Sequence, residues 1–122
     1  MSKRILVLDD HPLILDVVQE VLSYEGFDVY TSTKEKTFFE LATLVQPDLF
    51  ILDYILEYET GAEVCRRLKS SPHTKDTPVI IMSAYLHEKI TAEMLGCEGV
   101  LSKPFDMFSL ISKVQSILVE TC

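Results

Sequence analysis

Two adjacent carboxylates, Asp9 and Asp10, stand directly after four apolar residues in the stretch ILVLDDHP. Other reactive side chains follow short apolar runs in the same way: Asp53 after LFIL, Ser83 after VIIM, and Lys103 just beyond Val100–Leu101. Taken singly, each has an ordinary reading, since Asp often caps a helix, Ser turns a chain and Lys sits in solvent. Gathered at one place they mean something else. Burying one unpaired carboxylate costs several kcal/mol or forces a large pKa shift, and three close together repel unless a cation intervenes. A hard divalent ion resolves this, and Mg2+ is typically held by one or two carboxylates with waters and phosphate oxygens. Acids, Mg2+, a Lys ammonium and a Ser hydroxyl form a phosphate-handling set in which one Asp can serve as nucleophile. Phosphoryl transfer asks mainly for positioning and charge neutralisation, which these groups provide.

The elements that must bring these residues together can be read from periodicity. Ile5–Leu8, Leu49–Leu52, Val79–Met82 and the weaker Val100–Leu101 are continuous apolar runs, the pattern of strands buried on both faces of a parallel sheet. Phe27–Tyr30 alternates and suits a half-exposed edge strand. Between them lie helical stripes. Ile14, Val17, Val18, Val21 and Leu22 form one face of a helix that starts near Pro12 and closes at Gly26. Phe38, Leu41, Ala42 and Val45 form a second, stopped by Pro47, and Val64, Cys65 and Leu68 a third, ended before Pro72. A shorter helix is expected around His87–Leu95, ending at Gly96, and a last one from near Asp106 carries Met107, Ile111, Val114 and Leu118. Strand and helix alternate five times, which predicts an α/β three-layer sandwich with right-handed crossovers. Ligands of such sheets bind outside the carboxyl ends of the strands, where the reactive residues stand.

With the DD pair, LFILD ending in Asp53, Gly61 beyond it, SA at Ser83–Ala84 and SKPF at Ser102–Phe105, the chain resembles a receiver domain of two-component response regulators over essentially its full length. The resemblance implies a flavodoxin-like, doubly wound, five-stranded parallel sheet of order 2-1-3-4-5. It also implies that Asp53 accepts a phosphoryl group from a sensor histidine kinase or histidine phosphotransfer protein. Asp10 would ligate Mg2+ directly and Asp9 through water, with the Asp53 carboxylate and the backbone carbonyl of Ile55 as further ligands. Lys103 would contact the phosphoryl oxygens, Ser83 would hydrogen-bond the phosphate, and the Lys103–Pro104 peptide would be cis. Such a domain catalyses its own Mg-dependent phosphorylation and dephosphorylation without being a conventional enzyme. It passes the signal to a downstream protein through helix 4, strand 5 and helix 5.

Several positions depart from the family pattern. Glu57 replaces the usual Pro, and the acidic segment Glu57–Glu59 is read as a solvated loop. Val100 stands where Tyr or Phe is usual, and a β-branched residue lacks the bulk and rotamer range to swing behind a moving hydroxyl. Tyr85 is the nearest alternative aromatic. The interval from Ser83 to Lys103 is slightly short, and the shortage falls in helix 4 or its loops. Ile55 and Tyr85 are bulky at the positions that shape water access to the phosphorylated Asp, so self-dephosphorylation is expected to be slow. His11, beside the acids, is read as a helix-start residue facing solvent rather than as a metal ligand.

Composition bounds the rest. The 122 residues carry 11 Lys+Arg against 19 Asp+Glu, a formal net charge of −8. That balance argues against nucleic acid and anionic membrane surfaces as partners of this chain. No apolar run approaches the roughly 20 residues of a membrane span. Cys65, Cys97 and Cys122 show neither zinc-ligand spacing nor a disulfide framework, which fits reduced thiols and a cytoplasmic protein. The chain reads as a single receiver domain over residues 1–122 with no output domain after the last helix. An aspartyl phosphatase of the haloacid dehalogenase type wants a second Asp where Ile55 stands, and no glycine-rich phosphate loop is present. The alternative on the same fold is a docking module that works without phosphorylation.

Overall fold

The computed structural model describes residues 2–84 and 92–120. Among them, five strands alternate with helices in the order β1 (Arg4–Leu8), α1 (Pro12–Tyr24), β2 (Asp28–Ser32), α2 (Glu35–Val45), β3 (Leu49–Asp53), α3 (Gly61–Ser70), β4 (Val79–Ser83), α4 (Ala92–Leu95), β5 (Gly99–Ser102) and α5 (Met107–Glu120). All neighbours pair parallel, in the order β2-β1-β3-β4-β5. The five-stranded doubly wound sheet is therefore as expected. Of the helix expected around His87–Leu95, the part before Ala92 lies outside the described residues, as does Tyr85.

The unbroken apolar runs are explained by two cores, one on each face. Ile5, Val7, Leu49, Ile51, Ile80 and Met82 point into the layer formed with α1 and α5. Leu6, Leu8, Phe50, Leu52, Val79 and Ile81 point the other way, against α2 and α3. Successive side chains of a strand face opposite sides, so a strand covered on both sides must be apolar at every position. Strand β2 has one neighbour only, and its residues alternate between exposed and half-buried as far as Thr31.

Two helical faces differ from expectation by one position. In α1 the buried residues are Leu15, Val18 and Leu22, while Val17 is 52% exposed. In α5 they are Leu110, Val114, Ile117 and Leu118, while Met107 is 59% exposed. Both helices carry more apolar residues than one face can bury, so several stripes fit the periodicity and the sheet selects among them. Helix α3 is capped by Thr60, whose Oγ1 accepts the Glu63 amide at 3.2 Å. Gln46 in the left-handed region (φ 53°) ends α2 just before Pro47.

Candidate functional site

Sheet pairing carries on past the strands at their carboxyl ends and sets the heights of the site residues. The Asp9 amide donates to the Ser32 carbonyl at 3.2 Å, the Tyr54 amide to Met82 at 2.8 Å, and the Lys103 amide to Ser83 at 2.9 Å. Leu8 lies opposite Leu52 in the register of β1 and β3, so Asp9 and Asp53 are the next residues along two adjacent strands. Both are buried, at 0% and 5% exposure, at a sheet end where Ser32 and Ser83 are the other buried polar residues among those described.

Lys103 closes this pair from the end of β5. Its Nζ donates to Asp9 Oδ2 at 3.0 Å and lies 3.0 Å from Asp53 Oδ1. Burial works against the ammonium, but its hydrogen bonds to Asp9 and Asp53 outweigh that and hold its pKa above the ordinary lysine range. One ammonium does not neutralise the site. Burial first, and then the charge of Asp9, push the Asp53 carboxyl above its usual range, and Lys103 offsets this only in part. Asp10, half-buried beside them, is also raised, by burial and then by the charges of Asp9 and Glu57. A divalent cation would offset both shifts, because it neutralises the negative charge gathered in this partly desolvated place. The donor set thus fits a metal ion.

Among the described residues, Asp9, His11 and Asp53 each offer a ligand atom, all within 4.8 Å of one another. Asp10 is not in that trio and is tied to it through charge. Ser83 is buried at the end of β4, its carbonyl bound to the Lys103 amide. Ile55 stands at the rim with its side chain half exposed, its backbone bridged to Thr60. The Lys103–Pro104 peptide is cis. Val100 is partly buried against the α2–α3 core.

His11 stands at the start of α1 with its ring exposed, as expected, and its Nδ1 also lies 3.2 Å from Asp9 Oδ1, which accepts the His11 amide at 2.9 Å. One reading of the rim needs correction. The acidic segment is solvated only in its first half. Glu57 makes a loose pair with Lys34 at 3.9 Å and Tyr58 is 80% exposed, but Glu59 is largely covered and paired with Arg67. Arg67 in turn lies over the ring of Phe39, 4.1 Å from its centroid. The partners of this second cluster come from α2, the β3–α3 loop and α3, and no local pattern joins them. Cys65 and Cys97 are buried free thiols, and burial pushes Cys97 up to about 11. Cys122 lies outside the described residues. Among the described residues, no helix is long and apolar enough to cross a membrane.

Comparisons with known proteins agree on one family. The family model of the response regulator receiver domain matches residues 5–115. The chain is 36% identical over 120 residues to the DNA-binding dual master transcriptional regulator RpaA of Synechocystis sp., covering 97% of this chain and 50% of that protein. It therefore spans half the length of this relative. Among solved structures, the N-terminal domain of a response regulator receiver protein from Methanoculleus marisnigri is 31% identical with a TM-score of 0.76, over 94% of this chain and 95% of the other. The chemotaxis response regulator CheY4 of Vibrio cholerae superposes with a TM-score of 0.87 over 96% and 99% of the two chains. At 24% identity that likeness concerns the fold.

Proposed function

This chain belongs to the response regulator receiver domain family, and from that premise we propose that it is a phospho-accepting switch with Asp53 as the acceptor. The observation that carries the reading is the bridge from Lys103 Nζ to Asp9 and Asp53, 3.0 Å from each. It keeps an ammonium beside the oxygen that attacks, where the charge of the transferring group develops.

An Asp53 carboxylate oxygen attacks the phosphorus of a phosphohistidine on a sensor kinase or phosphotransfer protein. The P–O bond forms as the P–N bond breaks, and the departing imidazole takes up a proton. Lys103 turns its ammonium from the carboxylates to the phosphoryl oxygens, and the Ser83 hydroxyl donates a hydrogen bond to one of them. Asp10 directly, Asp9 through water, the Asp53 carboxylate and the Ile55 carbonyl would hold Mg2+. When bound, this ion neutralises charge on the phosphoryl oxygens. Signal leaves through α4, β5 and α5 to a downstream protein, and on this reading the protein works in the cytoplasm with its thiols reduced.

Incubation with Mg2+ and acetyl phosphate is expected to add one phosphoryl group, located at Asp53 by peptide mass spectrometry and absent from Asp53→Asn. A wild-type chain that takes up neither phosphoryl group nor beryllofluoride sinks this reading. The second reading, a docking module independent of phosphorylation, is favoured by Val100, which cannot act as the mobile aromatic of the family. It predicts partner binding unchanged by beryllofluoride.

A further inference from the structure

Asp9 uses its two carboxylate oxygens differently. Oδ2 is taken by Lys103 at 3.0 Å, whereas Oδ1 is turned to His11, whose Nδ1 lies 3.2 Å away. The oxygens of Asp9 and Asp53 are set in buried positions by two paired strands. The imidazole comes from the rim, its side chain 71% exposed, so it has room to re-aim a ring nitrogen over the carboxylates. One ligand atom from each of the three already lies within 4.8 Å of the others. Lys103 brings one positive charge against Asp9, Asp10 and Asp53, so the cluster still attracts a dication.

The kind of dication follows from the donors. Mg2+ demands oxygen ligands and dehydrates reluctantly, while imidazole suits zinc, copper, iron and nickel. We propose that His11 is a nitrogen ligand of this site toward first-row transition-metal dications. The inference rests on the metal-binding part of the function proposed above and adds a residue and an ion class to it. Such ions bind most oxygen and nitrogen sites more tightly than Mg2+, so tight binding alone proves nothing about His11. The discriminating quantity is how the preference changes when the imidazole is removed.

The test is calorimetric titration of the full chain with Co2+ and with Mg2+, together with the visible spectrum of the Co2+ form. A His73→Ala/His87→Ala background leaves His11 as the single imidazole. In that background His11→Ala is expected to weaken Co2+ by about tenfold or more, the scale on which loss of even a ligand's supporting partner weakens a metal site. It is also expected to change the Co2+ absorption bands and to leave the Mg2+ Kd within about threefold, because Mg2+ uses oxygen donors. His11→Gln, which keeps a polar side chain and the backbone bond to Asp9, is expected to behave like His11→Ala. Unchanged Co2+ affinity and bands in both variants overturn the inference and leave the Mg2+ reading standing. If Mg2+ fails to bind while Co2+ remains dependent on His11, the Mg2+ assignment falls and the inference stands.

Discussion

The α-carbon of Gly61 packs directly on the backbone carbonyl of Asp53, leaving no room for a β-carbon, and its amide donates to the Tyr54 carbonyl at 2.6 Å. The start of α3 thus rests on the backbone of the residue proposed to accept the phosphoryl group. Gly61→Ala must displace backbone on one side, and such overpacking typically costs about 1–3 kcal/mol. Gly99→Ala also meets a neighbour, the Ile117 Cδ1 at 2.6 Å, but that is the movable end of a side chain. Urea unfolding is expected to rank Gly61→Ala as the more damaging, and phosphorylation by acetyl phosphate to slow in that variant alone.

Removing the Lys103 ammonium leaves two buried carboxylates facing each other. Lys103→Met is expected to destabilise the metal-free protein by about 3 kcal/mol at neutral pH, as for breaking a buried pair. The sign with pH follows from the raised pKa of Lys103. Its contribution is fully present below the ordinary value of 10.5 and is lost as pH rises through the higher folded value. Wild-type and variant stabilities should therefore converge at strongly alkaline pH, which chemical denaturation across that range would check.

Glu35 lies against Glu59 at the edge of α2, and its Oε1 is buried without a hydrogen-bond partner. Burial first, then the hydrogen bond shared with Glu59, raise its pKa. Its stabilising contribution is present below the ordinary value of 4.5 and is lost as pH rises through the raised one. Glu35→Gln supplies a permanent donor toward Glu59. It is expected to stabilise the protein at pH 7 by about 1 kcal/mol, the scale of one unpaired buried polar group. The gain should vanish below the ordinary carboxylate range. Melting curves of the two proteins at both pH values test this.

Ile55 stands half exposed two residues beyond Asp53, and on the function proposed above its apolar side chain is expected to hinder an attacking water. Replacing Ile55 and Tyr85 together by small polar residues is expected to shorten the life of phosphorylated Asp53. A half-life that does not change, followed by loss of the phosphoryl group, rejects this role.

Much of this protein was legible from local pattern. Ile5–Leu8, Leu49–Leu52 and Val79–Met82 are apolar at every position because each strand is covered on both faces, and that signal needs no distant information. The placement of Asp9, Asp53, Ser83 and Lys103 at strand ends followed, since what comes after a buried strand emerges at the sheet's edge. Tertiary structure decided the rest. Leu15 rather than Val17 faces the core because the sheet selects among stripes that periodicity leaves equivalent. Glu59 is held by Arg67 over Phe39, and His11 turns back onto Asp9. Lys103 reaches an acid 94 positions earlier in the chain. Helical and strand periods are properties of a few consecutive residues. A contact between strand ends depends on strand order, which the family resemblance implied, and on residue register, which the folded sheet alone establishes.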